Sequence, residues 1–215
     1  MTERRNLPIG IQTFEEIRKK KCVYVDKTEY IYKLSYGGGK TYFLSRPRRF
    51  GKSLLLSTMR YYFEGRKKLF EGLKIAQLET EWIKYPVINI SFGRNSYEMS
   101  GSLETIIDLI LWEKESEFCL NENHLEKLNF AVRFQVLIEK MFKSTGKQVV
   151  VLVDEYDKPI LDALYTENEE KHRQILRNFY GTLKDSDQYL KFIFITDFIR
   201  SIKISFTKVT SKKPV

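Results

Sequence analysis

Cysteine and histidine are scarce: the 215 residues hold two of each. Cys22 and Cys119 lie far apart and lack metal-ligand spacing. That excludes a disulfide framework and a zinc module, and it fits a reduced, cytoplasmic protein. His124 and His172 sit in polar stretches with no second ligand close by, so both read as surface histidines rather than metal ligands. No run approaches the roughly 20 apolar residues of a membrane-spanning helix, and no membrane partner is expected. Met1-Thr2-Glu3-Arg4-Arg5 does not open the apolar stretch of a secretory leader. An internal repeat and a Pro/Ser-rich linker are also lacking, which leaves one sizeable domain with small appendages.

What is present is core-forming material. Hydrophobic residues make up 42% and aromatic residues 14% of the chain, enough for a packed interior and too much for a disordered polymer. The formal net charge of +9 favours anionic partners, nucleotides and nucleic acids among them. Solvated, lysine-rich helix faces account for the same excess, and no base-reading motif accompanies it.

Strand and helix patterns alternate, which predicts a parallel sheet covered on both faces. A lead-in carries short helices near Phe14–Lys19 and Glu29–Ser35, broken by Gly37-Gly38-Gly39. Thr41–Leu44 reads as a strand, and Lys52–Phe63 as a helix with Leu54, Leu55, Met59 and Phe63 on one stripe. Pro86–Phe92 is a second strand, followed by helices over Leu103–Phe118 and Phe130–Phe142. Val149–Val153 is an uninterrupted apolar run, short and valine-rich, as in a central strand buried on both faces. A charged helix over Glu167–Lys184 and a buried strand over Lys191–Thr196 complete the pattern, and a basic tail follows from Ser201.

The chemistry concentrates in Phe43-Leu44-Ser45-Arg46-Pro47-Arg48-Arg49-Phe50-Gly51-Lys52-Ser53-Leu54. A strand enters a turn, and Gly-Lys-Ser opens an apolar-striped helix. Backbone N–H groups at such a helix start point at phosphates, and the helix dipole favours their charge. Gly51 permits close backbone approach. Lys52 would reach the β and γ phosphates, and the Ser53 hydroxyl would hold Mg²⁺. The usual G-x-x-x-x-G-K-[ST] pattern has glycine where this chain has Arg46. Arg46, Arg48 and Arg49 either add charge to a phosphate cradle or face solvent or a partner. Gly39-Lys40-Thr41 is a decoy, since a helix precedes it and a strand follows; it reads as the turn into the first strand.

The second half of the pattern is Val150-Val151-Leu152-Val153-Asp154-Glu155, an apolar strand ending in two carboxylates. In a nucleotide site Asp154 would hold Mg²⁺ and Glu155 would orient and polarise the attacking water. Phe192–Ile195 followed by Thr196 resembles a sensor strand, one that lies between the other two and offers a polar residue to the γ-phosphate or the water. Asp26-Lys27-Thr28 fits a helix cap, with Glu29 three residues beyond Asp26, and a role near a nucleotide is the other reading.

With these residues in view, the chain resembles the AAA-ATPase-like family of bacterial and archaeal P-loop proteins. The matching stretches are Pro8–Phe14, Tyr24–Thr28, Phe43–Ser53, Phe63-Glu64-Gly65, Tyr85–Ile88 and Asp154–Ile160. The string Arg46-Pro47-Arg48-Arg49-Phe50-Gly51-Lys52-Ser53 is the most specific of them, and it makes Arg46 a family variant of the loop. The resemblance implies a three-layer α/β P-loop NTPase core, with a mostly parallel sheet and helices on both faces. It divides the chain into a lead-in over 1–40, the P-loop domain over 41–200 and a basic tail over 201–215. It implies an ATP-binding protein with Mg²⁺-dependent ATP hydrolysis, in which Glu155 and Lys52 are catalytic and Ser53 and Asp154 hold the metal. Arg46, Arg48, Arg49, Phe50, Gly51, Lys52, Ser53, Leu54 and Thr196 would contact the nucleotide. A non-catalytic nucleotide-dependent switch and a nucleic-acid-associated ATPase module are the alternatives, and a homo-oligomer is a further expectation. Such cores are commonly followed by a PD-(D/E)XK nuclease-like domain, which these residues do not contain. The departure begins at Asp197, where the family has Thr-Gly, so the core is expected to be truncated near its last strand.

Overall fold

The computed structural model describes residues 6–47, 49–118 and 128–197. Arg48, Cys119, His124, the first residues and everything from Phe198 onward, including the basic tail and the expected truncation, lie outside the described residues. Four strands form the sheet: β1 (Thr41–Ser45), β2 (Val87–Ser91), β3 (Val149–Asp154) and β4 (Leu190–Asp197). Their order is β1-β4-β3-β2, and every neighbouring pair is parallel. The β4 strand therefore lies between β1 and β3, as expected of a sensor strand.

The helices are α1 (Phe14–Lys19), α2 (Thr28–Tyr36), α3 (Lys52–Phe63), α4 (Ile75–Leu78), α5 (Ser102–Glu117), α6 (Phe130–Thr145), α7 (Lys158–Asp162) and α8 (Glu169–Asp185). Alternation along the strands divides them between two cores. Ile88, Ile90, Val151, Val153, Ile193 and Ile195 face α5, α6 and α8, where they share a core with Ile107, Phe134, Leu137, Met141, Leu176 and Phe179. Val150, Leu152, Phe192 and Phe194 face the other way, onto Phe14, Ile31, Leu56, Met59, Phe63 and Phe70 of the lead-in, α3 and the turn that follows it. All six residues of β3 are buried, which is why that strand reads as a continuous apolar run instead of an alternating one. The result is a three-layer α/β/α arrangement.

Some short elements carry no sequence pattern: the 3-10 turns Lys67–Phe70 and Asp187–Tyr189, α4 and α7. Each is too short to show a periodicity. The α4 turn owes its start to the lead-in. Asp26 Oδ2 accepts the Lys74 N–H at 2.7 Å, and Thr28 Oγ1 accepts that of Ile75 at 3.1 Å. Asp26 Oδ1 meanwhile accepts the Thr28 amide at 2.9 Å and its hydroxyl at 2.7 Å. The N-cap of α2 is Lys27, whose side chain makes no cap bond, so the expected cap at Asp26 is displaced by one residue; Asp26 bonds Thr28, the first residue of α2, and ties α2 to α4. Glu29 lies 3.5 Å from the Lys74 ammonium, which completes the strut.

His172 corrects an expectation. It is fully buried, and its Nδ1 lies 2.9 Å from the Pro159 carbonyl. Charged neighbours disguise its place on the α8 stripe with Leu176, Phe179 and Leu183, at helical spacing from it.

An ion pair is buried between α5 and α6. Arg133 of α6, 2% exposed, grips Glu115 of α5 with Nε at 3.1 Å and Nη2 at 2.7 Å, and its Nη1 reaches Asp108. Removing the guanidinium would strand the Glu115 carboxylate, itself 5% exposed. Arg133→Ala is expected to lower the unfolding free energy by about 3–5 kcal/mol. Lys40→Ala, which breaks the exposed pair with Asp187, should cost about 1 kcal/mol or less. Equilibrium urea denaturation measures both.

Asp26 gives the fold a pH dependence. Burial pushes its carboxyl up, but the Lys74 amide and the Thr28 hydroxyl and amide outweigh this and hold it below the usual carboxylate range. The folded value lies below the unfolded one, so the contribution is present above the ordinary Asp value of about 3.9 and lost as pH falls through the lowered value. Asp26→Asn should therefore melt lower than wild type at neutral pH, and the gap should close below about pH 4.

Candidate phosphate site

The parallel register brings four strand ends to one edge: Ser45 pairs with Asp197, and Ser91 with Asp154. The chain leaves β1 at Ser45, and Gly51 leads it into α3. Gly51 precedes the helix with φ 73°, and a Cβ there would meet nothing within 4 Å. Glycine is required for the left-handed turn and not for space. Arg49 shares the left-handed region, at φ 66°. The Gly51 carbonyl accepts the Leu55 amide at 2.9 Å, which starts the helical ladder. The N–H groups of Lys52, Ser53 and Leu54 precede that first bond, and the N-cap glycine has no side chain to offer them.

Lys52 is 5% exposed, and its Nζ donates to the carbonyls of Arg46 at 2.7 Å and Pro47 at 3.0 Å. The loop thus wraps its own lysine and holds the cation at the helix start, largely out of water. Asp197, 2% exposed at the end of β4, stands close to this loop. Burial pushes its carboxyl up, and the Ser45 side chain and the Lys52 charge offset this only in part. Arg46, Arg49 and Phe50 are exposed, and Ser53 and Leu54 are half-buried.

On the other side of β4, Asp154 ends β3 at 9% exposure. Thr196, fully buried on β4, donates its hydroxyl to Asp154 Oδ1 at 2.7 Å and accepts the Glu155 amide at 3.2 Å. The Thr196 carbonyl takes the Tyr156 amide at 3.1 Å. Thr196 therefore binds the β3 terminus to β4, and its hydroxyl is engaged by the carboxylate. Glu155 stands at φ 56°, a left-handed conformation rare for a glutamate. Tyr156 behind it packs edge-on against Phe43 of β1, ring centroids 5.4 Å apart.

The decoy Lys40 lies at the other end of β1, bonded to the carbonyl and carboxylate of Asp187 at 3.0 and 2.9 Å. Two cavities, of about 270 and 780 Å³, also open away from this edge, beside residues such as Tyr85 that precede the strands. Sequence spacing alone points to Lys52 and Asp154. It does not find Gly93, whose backbone lies against the Glu155 carboxylate; a glycine after a strand gives no signal.

Thr196→Val keeps the shape and removes the hydroxyl. It should destabilise the protein by about 1.5–3 kcal/mol, the range for hydrogen bonds to charged groups, whereas Thr196→Ser should lose much less. Equal melting of the two variants would count against the bond.

A family model described as "Predicted AAA-ATPase" matches residues 8–207. A protein of Azotobacter chroococcum mcd 1, named "Uncharacterized protein in vnfD 5'region", is 41% identical over 209 residues. The match covers 94% of this chain and 39% of that relative, so the chain spans well under half of the relative's length. No solved structure matches with significance. With the family match running from the lead-in past the end of β4, the chain belongs to the AAA-ATPase-like family.

Proposed function

We propose that this domain binds ATP at the start of α3 and hydrolyses it with Mg²⁺. The observation that carries the reading is the meeting, at one sheet edge, of a buried Lys52 at a glycine-led helix start with an Asp154 carboxylate held by Thr196. Backbone N–H groups of the first turn and the positive end of the α3 dipole would bind phosphate oxygens. Lys52 would exchange its carbonyl partners for the β and γ phosphates, and the exposed Arg46, Arg49 and Phe50 would line the rim.

The donor set suits Mg²⁺. No cluster of three or more His, Cys, Asp or Glu side chains capable of holding a metal occurs among the described residues. One hydroxyl (Ser53) and one carboxylate (Asp154) suit a cation that keeps most of its waters and shares phosphate oxygens. When bound there it supplies charge neutralisation at the phosphates.

Hydrolysis would then need a base. Glu155 would take a proton from water as the water oxygen bonds to the γ-phosphorus and the bond to the β–γ bridging oxygen breaks, leaving ADP and phosphate. Lys52 would neutralise charge developing on the leaving oxygens.

Direct binding and phosphate-release assays on three proteins test this. Lys52→Ala should weaken ATP binding by more than about tenfold, equivalent to about 1.4 kcal/mol. Glu155→Gln should bind ATP like wild type and turn over about 10²- to 10⁴-fold more slowly. Equal binding by wild type and Lys52→Ala would refute the site. Lys52-dependent binding without wild-type turnover would leave a nucleotide-dependent switch.

A further inference from the structure

Gly93 lies just beyond β2, and its φ falls outside the left-handed region occupied by seven other glycines. Its backbone conformation is therefore open to any residue, and the reason for glycine must be sought in space. A Cβ on Gly93 would stand 2.5 Å from Glu155 Oε2, 2.9 Å from its Cδ and 3.3 Å from Oε1. The carboxylate rests broadside on the bare backbone, in the volume that any side chain would take.

Both partners in this contact are held. Phe92, fully buried, donates its amide to the Asp154 carbonyl at 3.2 Å and anchors the residue before Gly93 to the end of β3. The Glu155 amide is bonded to Thr196 Oγ1, and its carbonyl accepts the Lys158 amide at 3.1 Å. Its left-handed φ of 56° further fixes the direction in which the side chain leaves the backbone. With the main chain pinned, side-chain rotations place the carboxylate, and Gly93 forms the surface against which they settle. A carboxylate that must meet a water in line with phosphorus gains from such preorganisation, because the cost of ordering it is met on folding.

We propose that Gly93 is a positioning residue for Glu155: its missing side chain forms the seat that sets where the carboxylate stands for water activation. The inference rests on the reading of Glu155 as the general base. The atoms a Cβ would strike are the far end of a flexible side chain, so a methyl group at 93 moves the carboxylate more readily than it disrupts the fold.

The test uses Gly93→Ala, Glu155→Gln, Glu155→Ala and the corresponding double variants of the full chain. Gly93→Ala should lower kcat for Mg-ATP by about 10- to 100-fold, as expected for an ångström-scale displacement. KM and the ATP Kd should stay within about twofold. In the Glu155→Gln background the same change should leave the residual turnover unaltered. A second readout needs no activity. Gly→Ala at a compatible position stiffens the unfolded chain and raises Tm, here by about 1–4 °C. That gain should appear when Glu155 is replaced by alanine and be lost or reversed when Glu155 is present. An equal Tm change in both backgrounds would overturn the seat, and so would an unchanged or raised kcat in Gly93→Ala. Absence of wild-type turnover above Lys52→Ala would instead refute the ATPase reading, while the melting comparison would still decide the contact.

Discussion

A single hydroxyl holds the acidic half of the candidate site together. Thr196 Oγ1 donates to Asp154 and accepts from the Glu155 amide, so two consecutive residues at the end of β3 are fixed by one atom of β4. The bond is only available because β4 runs parallel to β3 and ends level with it. A buried carboxylate needs such a donor; without one its desolvation would go uncompensated. Glu155, whose amide that hydroxyl accepts, stands in the left-handed region at φ 56°.

The basic half is built on the same sheet by different means. The left-handed Gly51 starts α3, and the loop carbonyls of Arg46 and Pro47 hold Lys52 where little water reaches. The two halves meet because β4 separates β1 from β3 by a single strand, which places them on the order of 10 Å apart at the strand level. Apolar burial on both faces fixes that geometry, as a one-residue slip in β3 or β4 would exchange the two cores.

Long or strongly patterned elements are legible in the sequence. The valine run of β3, the stripe of α3 and the helix over Phe130–Phe142 are read from the sequence, and their observed limits differ by only a few residues at the ends. The features without a local signal depend on tertiary contact. The α4 turn exists because Asp26 and Thr28 receive its first amides. His172 is buried because its helix face, and not its charged neighbours, decides its environment. The pattern marks Thr196 as a polar residue at a strand end, but only the folded sheet shows that Asp154 takes its hydroxyl. The seat of Glu155 on Gly93 joins two loops distant in sequence, a relation that no local periodicity encodes.

The central claim is that the start of α3 reads phosphates, and a ladder of adenine nucleotides addresses it most directly. Thermal unfolding with AMP, ADP and ATP, each with Mg²⁺, measures binding to the folded state through linkage, about 2.7 kcal/mol at a hundredfold excess over Kd. The account predicts little stabilisation by AMP, and a rise with ADP and ATP that disappears in Lys52→Ala. Equal stabilisation by all three nucleotides, or a rise that persists without the Lys52 amine, would contradict it.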